Sequence, residues 1–327
     1  MDGKIYFLAL VLGILVLAWV GAGVLWRAAE MAEIVAPLDP YEFEELSVVT
    51  VGTGNEYENP NRHGPSTAIG FGRTIVLVDV GRGIAEGLRS AKIPLNQPAI
   101  IVLTNLLPLN TIGLDDLLFT GWLVPREKPL RILGPPGTRR LVESLEDAHA
   151  AGRDALGSAI SLPASGGRFE VLEVGDGYRE EVGSREDGGF RIEARSLPGG
   201  PLPTLAWRFS HGERKIVVSG SGWGHEVLAS FAGGADVLVH EAAHIPTVEE
   251  LEGTGAEVPY PERHTLEKSF HTSILEVGVL ATKAQVGRLV LVRLRPPPFF
   301  NLQVRSLVNN DYKGKILIPS DGDLVFP

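Results

Sequence analysis

Residues 99–121 read AIIVLTNLLPLNTIGLDDLLFTG, and the fold turns on how this stretch is divided. The apolar run AIIVL predicts a buried strand, and LDDLLFTG (114–121) predicts a helix with its apolar positions on one face. Between them TNLLPLN, Thr104 to Asn110, predicts a loop stiffened by Pro108. This loop holds no histidine, no carboxylate and no cysteine. A loop between a buried strand and a helix is a common place for chemistry. Here it offers leucine and asparagine instead.

Working outward, the same alternation recurs. Strand-like runs are SVVTVG, TIVLVDVG, LRILGPPG, FEVLEVG, FRIEARS, TLAWRFS, KIVVSGSG, ADVLVHE and RLVLVRL. Helical stretches are predicted at 83–90, 138–149, 226–231 and 272–285, with Thr138 as an N-cap. Such mixing predicts an α/β body with internal sheets covered by helices. Glycine (39) and proline (23) mark the turns, and no fixed-period repeat is present. The Gly- and Ser-rich segment 151–189 is expected to be a surface excursion.

The 327 residues are 44% apolar, enough for a large core. A formal charge of −10 argues against a general nucleic-acid binder, which needs clustered Lys and Arg. Residues 28–61 carry eight carboxylates and no Lys or Arg, as a solvated linker face or a docking surface for a basic partner would. The chain has no cysteine, which excludes disulfides, thiolate metal ligands and thiol nucleophiles.

Residues 5–25, IYFLALVLGILVLAWVGAGVL, contain no charge over 21 positions. As a helix at about 1.5 Å per residue they match a hydrocarbon core of about 30 Å. Tyr6 and Trp26 stand near the two ends, where interfacial aromatics sit. Lys4 and the small residues of AWVGAG also suit a signal peptide, but the long apolar region favours an uncleaved anchor. The expected organisation is an anchor (1–27), an acidic linker (28–46) and a soluble body (47–327) lying outside the cytoplasm.

Six segments, in order, carry a resemblance: VTVGTGNEYENPNRHGPSTAI (49–69), IVLVDVGRG (75–83), LRILGPPGT (130–138), PTLAWRFSHGERKIVVSGSG (203–222), ADVLVHEAAH (235–244) and HTSILEVGVLATKAQVGRLVLVRLRP (271–296). Together they resemble the metallo-β-lactamase superfamily, in its ribonuclease Z and arylsulfatase-like branch. The resemblance implies an αββα four-layer sandwich behind the N-terminal transmembrane helix, and a two-metal hydrolytic centre. The family's ligands read Thr-His-x-His-x-Asp-His, and these places fall on Asn105, Leu107, Leu109 and Asn110. The remaining ligand places fall on Gly200, Ser221 and Arg293. None of the seven side chains is an ordinary zinc donor, so the expectation is a body without metal or other cofactor. Without metal, the low-pKa water that such hydrolases use is lost. Arg293 cannot donate a lone pair, and is expected to fill the vacated cavity against Asp79 or Glu241. The resemblance leaves three family positions intact: Asp79, which is largely structural, and Glu241 with His271, a pair that helps to protonate a leaving group.

His240-Glu-Ala-Ala-His244 matches the HExxH pattern of zinc proteases, which requires a helix. ADVLV before it predicts a strand, and Pro246 follows directly, both against that reading. The histidines at 63, 149, 211, 225 and 264 show no metal-ligand spacing. GSGWG (220–224) lacks a P-loop's context, GTG (52–54) is too short for a nucleotide site, and no GxSxG elbow exists. RPPPFF (295–300) reads as a strand exit packed on the body, with Phe299 and Phe300 a protein contact if exposed.

The expectation is therefore an accessory subunit of a larger membrane complex, held laterally through small residues such as Ala9 and Gly13. Its rivals are a hydrolase with unconventional ligands, the HExxH protease, and a ligand-binding protein using a cleft lined by Leu107, Leu109 and Trp223.

Overall fold

A computed structural model describes all residues except 1, 56–58, 60, 99, 125, 185, 187, 221, 223, 256, 259, 263–269 and 298–300. The chain divides into two compact units, Met1–Asp39 and Pro40–Pro327.

The first unit is one helix, Asp2–Val35. Its stretch Tyr6–Ala29 has a mean hydropathy of 2.6 and is a candidate membrane span; a signal sequence meets the same criterion. The described side chains of that stretch are exposed all round, so they need an apolar surrounding rather than one apolar face. The helix runs past residue 27 into the segment read as linker, because RAAEMAE is made of good helix formers and Pro37 comes only later.

The second unit is built from two seven-stranded sheets. In the first, β1 (Phe43–Gly52), β2 (Ser66–Gly72) and β3 (Thr74–Val78) form an antiparallel meander. It continues in parallel through β4 (Ile100–Val102), β5 (Leu130–Gly134) and β6 (Phe169–Glu173). The second sheet repeats the plan. β7 (Arg179–Val182), β8 (Phe190–Leu197), β9 (Thr204–His211) and β10 (Arg214–Ser219) are antiparallel. β11 (Val237–Ala243), β12 (Arg288–Arg295) and β13 (Lys315–Leu317) follow in parallel. β14 (Asp323–Val325) returns to the first sheet beside β1.

Parallel neighbours need crossovers, and helices supply them on the outer faces. Ile84–Ser90, Leu114–Leu123 and Thr138–Ile160 serve the first sheet; His225–Phe231, Val277–Lys283 and Asn301–Val308 serve the second. Three apolar layers result. The middle one joins Val48, Ile69 and Val76 of the first sheet to Trp207, Ile216 and Val290 of the second. The outer two seat the helices, through Leu88, Leu117 and Val142 on one side and Leu228, Val277 and Val308 on the other. This is the mixed α/β two-sheet sandwich that the sequence predicted.

Several local expectations change. The helix predicted to end at 149 continues to Ile160, through Gly152 and Gly157. Gly157 is needed there because a Cβ would lie 2.9 Å from the Trp122 ring. The segment 151–189, read as a surface excursion, holds the end of that helix, β6 and β7, and most of its described residues are exposed or half-buried. Thr138 is the first helical residue rather than the N-cap, which is Gly137, and its hydroxyl donates to Pro135 O at 2.6 Å. The helix predicted over 272–285 spans only Val277–Lys283.

Candidate functional site

The carboxyl ends of the parallel strands of both sheets open toward one cleft, the place where α/β sheets bind ligands. Asp79 follows β3, Thr104 follows β4, Gly220 follows β10, Glu241 lies near the end of β11, and Arg293 lies near the end of β12.

Asp79 is fully buried with φ 58°, a left-handed conformation that aspartate tolerates. Its Oδ1 accepts from the Thr104 N–H and its Oδ2 from the Thr104 hydroxyl, both at 2.8 Å. Arg293 Nη2 donates to the same Oδ2 at 2.5 Å, and Nη1 donates to Gly220 O at 2.7 Å. Burial pushes the Asp79 carboxyl up, while the Arg293 charge and these hydrogen bonds pull it down. A guanidinium stays charged in a protein, so the two form a buried ion pair. Of the two partners that the sequence offered Arg293, the structure selects Asp79. Gly220 can only be glycine at this contact, since a Cβ would lie 1.9 Å from Thr104 Oγ1.

TNLLPLN closes on itself. Asn105 Oδ1 accepts from the Leu107 N–H at 3.0 Å and from Asn110 Nδ2 at 2.7 Å. Because the backbone N–H can only donate, it fixes Asn105's oxygen there and hence Asn110's nitrogen opposite. Both asparagines are buried, and Asn110 Oδ1 has no partner among the described residues. Leu107 precedes the short helix Pro108–Thr111 in extended conformation. Leu109 lines a cavity of about 330 Å³ with Arg82, Pro108 and Ile112. Gly200 sits in the loop between β8 and β9, while Ser221 and Trp223 lie outside the described residues, as do His264, Phe299 and Phe300.

On the other side of the cleft, Glu241 Oε2 meets His271 Nδ1 at 2.7 Å, and Oε1 accepts from the Thr272 N–H at 3.3 Å. Arg295 Nη1 reaches His271 Nε2 at 3.2 Å. His271 also lines a cavity of about 270 Å³ with Ala243, Ile245, Ser273, Leu275 and Glu276. The neighbouring His240 is fully buried between the Ser219 hydroxyl at Nδ1 and Thr272 Oγ1, 2.8 Å from Nε2. Thr272 Oγ1 in turn contacts His225 Nε2 at 3.1 Å. Burial drives the His240 pKa down to about 4, with Glu241 opposing and His225 and Arg293 assisting.

The HExxH reading is corrected by this geometry. Residues 240–243 belong to β11, not to a helix; His240 is buried, whereas His244 is exposed beyond the strand end. Two histidines so placed do not converge on one ion.

The resemblance implies two metal ions, and the donors present do not fit them. Hydrocarbon, amide and guanidinium groups stand at the described ligand places, and Asp79 is committed to three donors. Among the described residues no three His, Cys, Asp or Glu side chains converge as a metal site. Sequence reasoning missed two participants. Arg295 was quoted only as the start of RPPPFF, without a role at the site, and Thr104 only as the start of the loop.

Two facing mixed sheets, sheathed by helices and meeting at a cleft of strand ends, define the metallo-β-lactamase fold. Solved structures agree: the metallo-β-lactamase fold protein YhfI from Bacillus subtilis matches with a TM-score of 0.63 at 16% identity, over 86% of this chain and 99% of that one. Human tRNase Z, short form, matches with a TM-score of 0.59 at 18% identity, over 86% and 99%. No protein-family model matches the chain. A curated ribonuclease Z from Mycobacterium sp. strain KMS is 31% identical over 261 residues, 77% of this chain and 85% of the relative. The chain belongs to the ribonuclease Z-like branch of the metallo-β-lactamase superfamily.

Proposed function

We propose that this chain is a membrane-anchored, catalytically silent member of its branch, acting as an accessory subunit of a larger membrane complex. The observation that carries the reading is the Asp79–Arg293 ion pair, which puts a fixed cation where the resemblance places metal. A carboxylate filled by Arg293 and Thr104 has little left to offer a divalent ion, and a guanidinium repels one. The apolar N-terminal helix supports the anchor, with the body outside the cytoplasm and the helix packing through Ala9 and Gly13. The acidic balance supports a protein partner rather than RNA.

The test uses the full-length chain purified from native membrane in mild detergent. Expected results are substoichiometric zinc and manganese by elemental analysis, no cleavage of precursor tRNA or of bis(p-nitrophenyl) phosphate with either metal added, and stoichiometric membrane partners. Tightly held metal with phosphodiesterase activity would overturn the silent-site reading. A monodisperse monomer would overturn the subunit role.

A further inference from the structure

The first unit ends on a short stretch that belongs to no element. Its helix stops at Val35 and closes with the Ala36 N–H donating to Ala32 O at 2.9 Å. The body takes hold of the chain at Tyr41, whose N–H donates to Gln97 Oε1 at 2.7 Å and whose carbonyl accepts from Gln97 Nε2 at 2.6 Å. Between these two points lie Pro37, Leu38, Asp39 and Pro40. None of the four makes a hydrogen bond or an ion pair with a described residue; Leu38 is half-buried and the other three are exposed. Exposed backbone without hydrogen bonds is where proteases nick a folded chain.

The sequence decides which of these bonds a protease can use. Pro37 and Pro40 have no N–H and a fixed φ, so the bonds before them, Ala36–Pro37 and Asp39–Pro40, are closed to ordinary endoproteases. Pro37–Leu38 and Leu38–Asp39 remain. Of the four side chains Leu38 is the one that fills an apolar S1 slot of the chymotrypsin kind. Its apolar neighbours are protected, because helical or clasped backbone has to open before it can be cut. Leu25, Trp26 and Met31 lie in the helix, Tyr41 is held by Gln97, and Phe43 is buried in β1. A cut at this point also removes nothing from the body. Both sheets, the three apolar layers and the Asp79–Arg293 pair are built from Tyr41 onward.

We propose that Leu38 is a release point, at which a protease with an apolar S1 pocket hydrolyses the Leu38–Asp39 bond and frees a folded body from the membrane helix. Water supplies the hydroxyl of the new Leu38 carboxyl group and the hydrogen of the new Asp39 amine. This adds regulation to the anchored reading and rests on it: the chain has a membrane-held and a soluble form, and hydrolysis converts the first into the second in one direction.

The experiment places the purified full-length chain in polymer-bounded phosphatidylcholine discs, which expose both membrane faces. The sample is digested briefly with dilute chymotrypsin and separated by size. Expected is loss of the body from the disc fraction and its recovery as a soluble protein that begins at Asp39 by mass and unfolds cooperatively in urea. Leu38→Phe releases as the wild type does, and Leu38→Pro stays with the discs. Both variants change a residue outside every helix and strand, so the body folds in each. A body that stays with the discs while chymotrypsin cuts elsewhere overturns the release point and leaves the anchor standing. So does a released species that begins at another residue or has unfolded. An undigested chain that elutes apart from the discs overturns the anchored reading itself.

Discussion

The two flanks of the cleft hold the same ingredients, a buried carboxylate and an arginine from β12, and arrange them oppositely. At Asp79 the arginine binds the carboxylate directly, and the carboxylate accepts from the Thr104 N–H, the Thr104 hydroxyl and Arg293 Nη2. At Glu241 a histidine stands between carboxylate and arginine, and the cluster borders a cavity. The first arrangement is a structural clasp joining the ends of β3, β4, β10 and β12. The second is a proton couple with its outer nitrogen covered. The same two residue types therefore make a buried ion pair on one flank and an acid–imidazole contact beside a cavity on the other.

The largest effect that would break this contrast is at the clasp. In Asp79→Asn the new amide N–H₂ must face either the Thr104 N–H or the Arg293 guanidinium, both of which only donate, and Arg293 is left buried without a carboxylate. Breaking a buried pair in this way costs about 3–5 kcal/mol, measured by urea unfolding. Asp79→Asn combined with Arg293→Met should recover most of the loss, because no charge is then stranded. A single variant losing under about 1 kcal/mol would show that the pair is solvated and the clasp idea wrong.

An intermediate effect is expected at His240, which lies between the flanks. Its pKa is about 4 in the fold against an ordinary 6.5, so the folded ring is neutral where the unfolded ring takes a proton. Stability is thus fully present above about pH 6.5 and is lost as pH falls toward about 4, by about 3 kcal/mol in all. Urea midpoints taken between pH 7 and 5.5, above the ordinary carboxylate range, should show a slope that His240→Gln removes. An equal slope in that variant would assign the proton uptake to other histidines.

Much of the fold was legible in the sequence, because continuous apolar runs such as AIIVL and RLVLV admit few alternatives to buried strands. The helix ending at Ile160 was not, since Gly152 and Gly157 read as breakers until Trp122 is seen packed against the second of them. At the site, Arg293 could be singled out because a permanent cation stood at a place that the resemblance assigns to a ligand. Arg295 could not: VRLRP reads as plain alternation with both arginines on one face. Only a bulge in β12, set by a positive φ at Arg293 that no residue type announces, parts them. The run Ser219–His240–Thr272–His225 was equally hidden, because its members are spread over β10, β11, one loop and the start of the helix His225–Phe231.

The smallest effect sharpens the contrast most. Glu241→Gln keeps an oxygen to accept from His271 Nδ1, and its amide N–H₂ then faces the Thr272 N–H, which lies 3.3 Å from the carboxylate now. Only one long contact is spoiled, and no cation is stranded, since Arg295 binds the ring rather than the carboxylate. The expected loss is about 1 kcal/mol, well below that of Asp79→Asn although both replace a buried acid by its amide. Double-mutant cycles make the comparison quantitative, with Asp79/Arg293 coupled strongly and Glu241/His271 weakly. Equal coupling energies would mean that His271 is a cation in the fold. The second flank would then be a salt bridge like the first, and the difference between them would vanish.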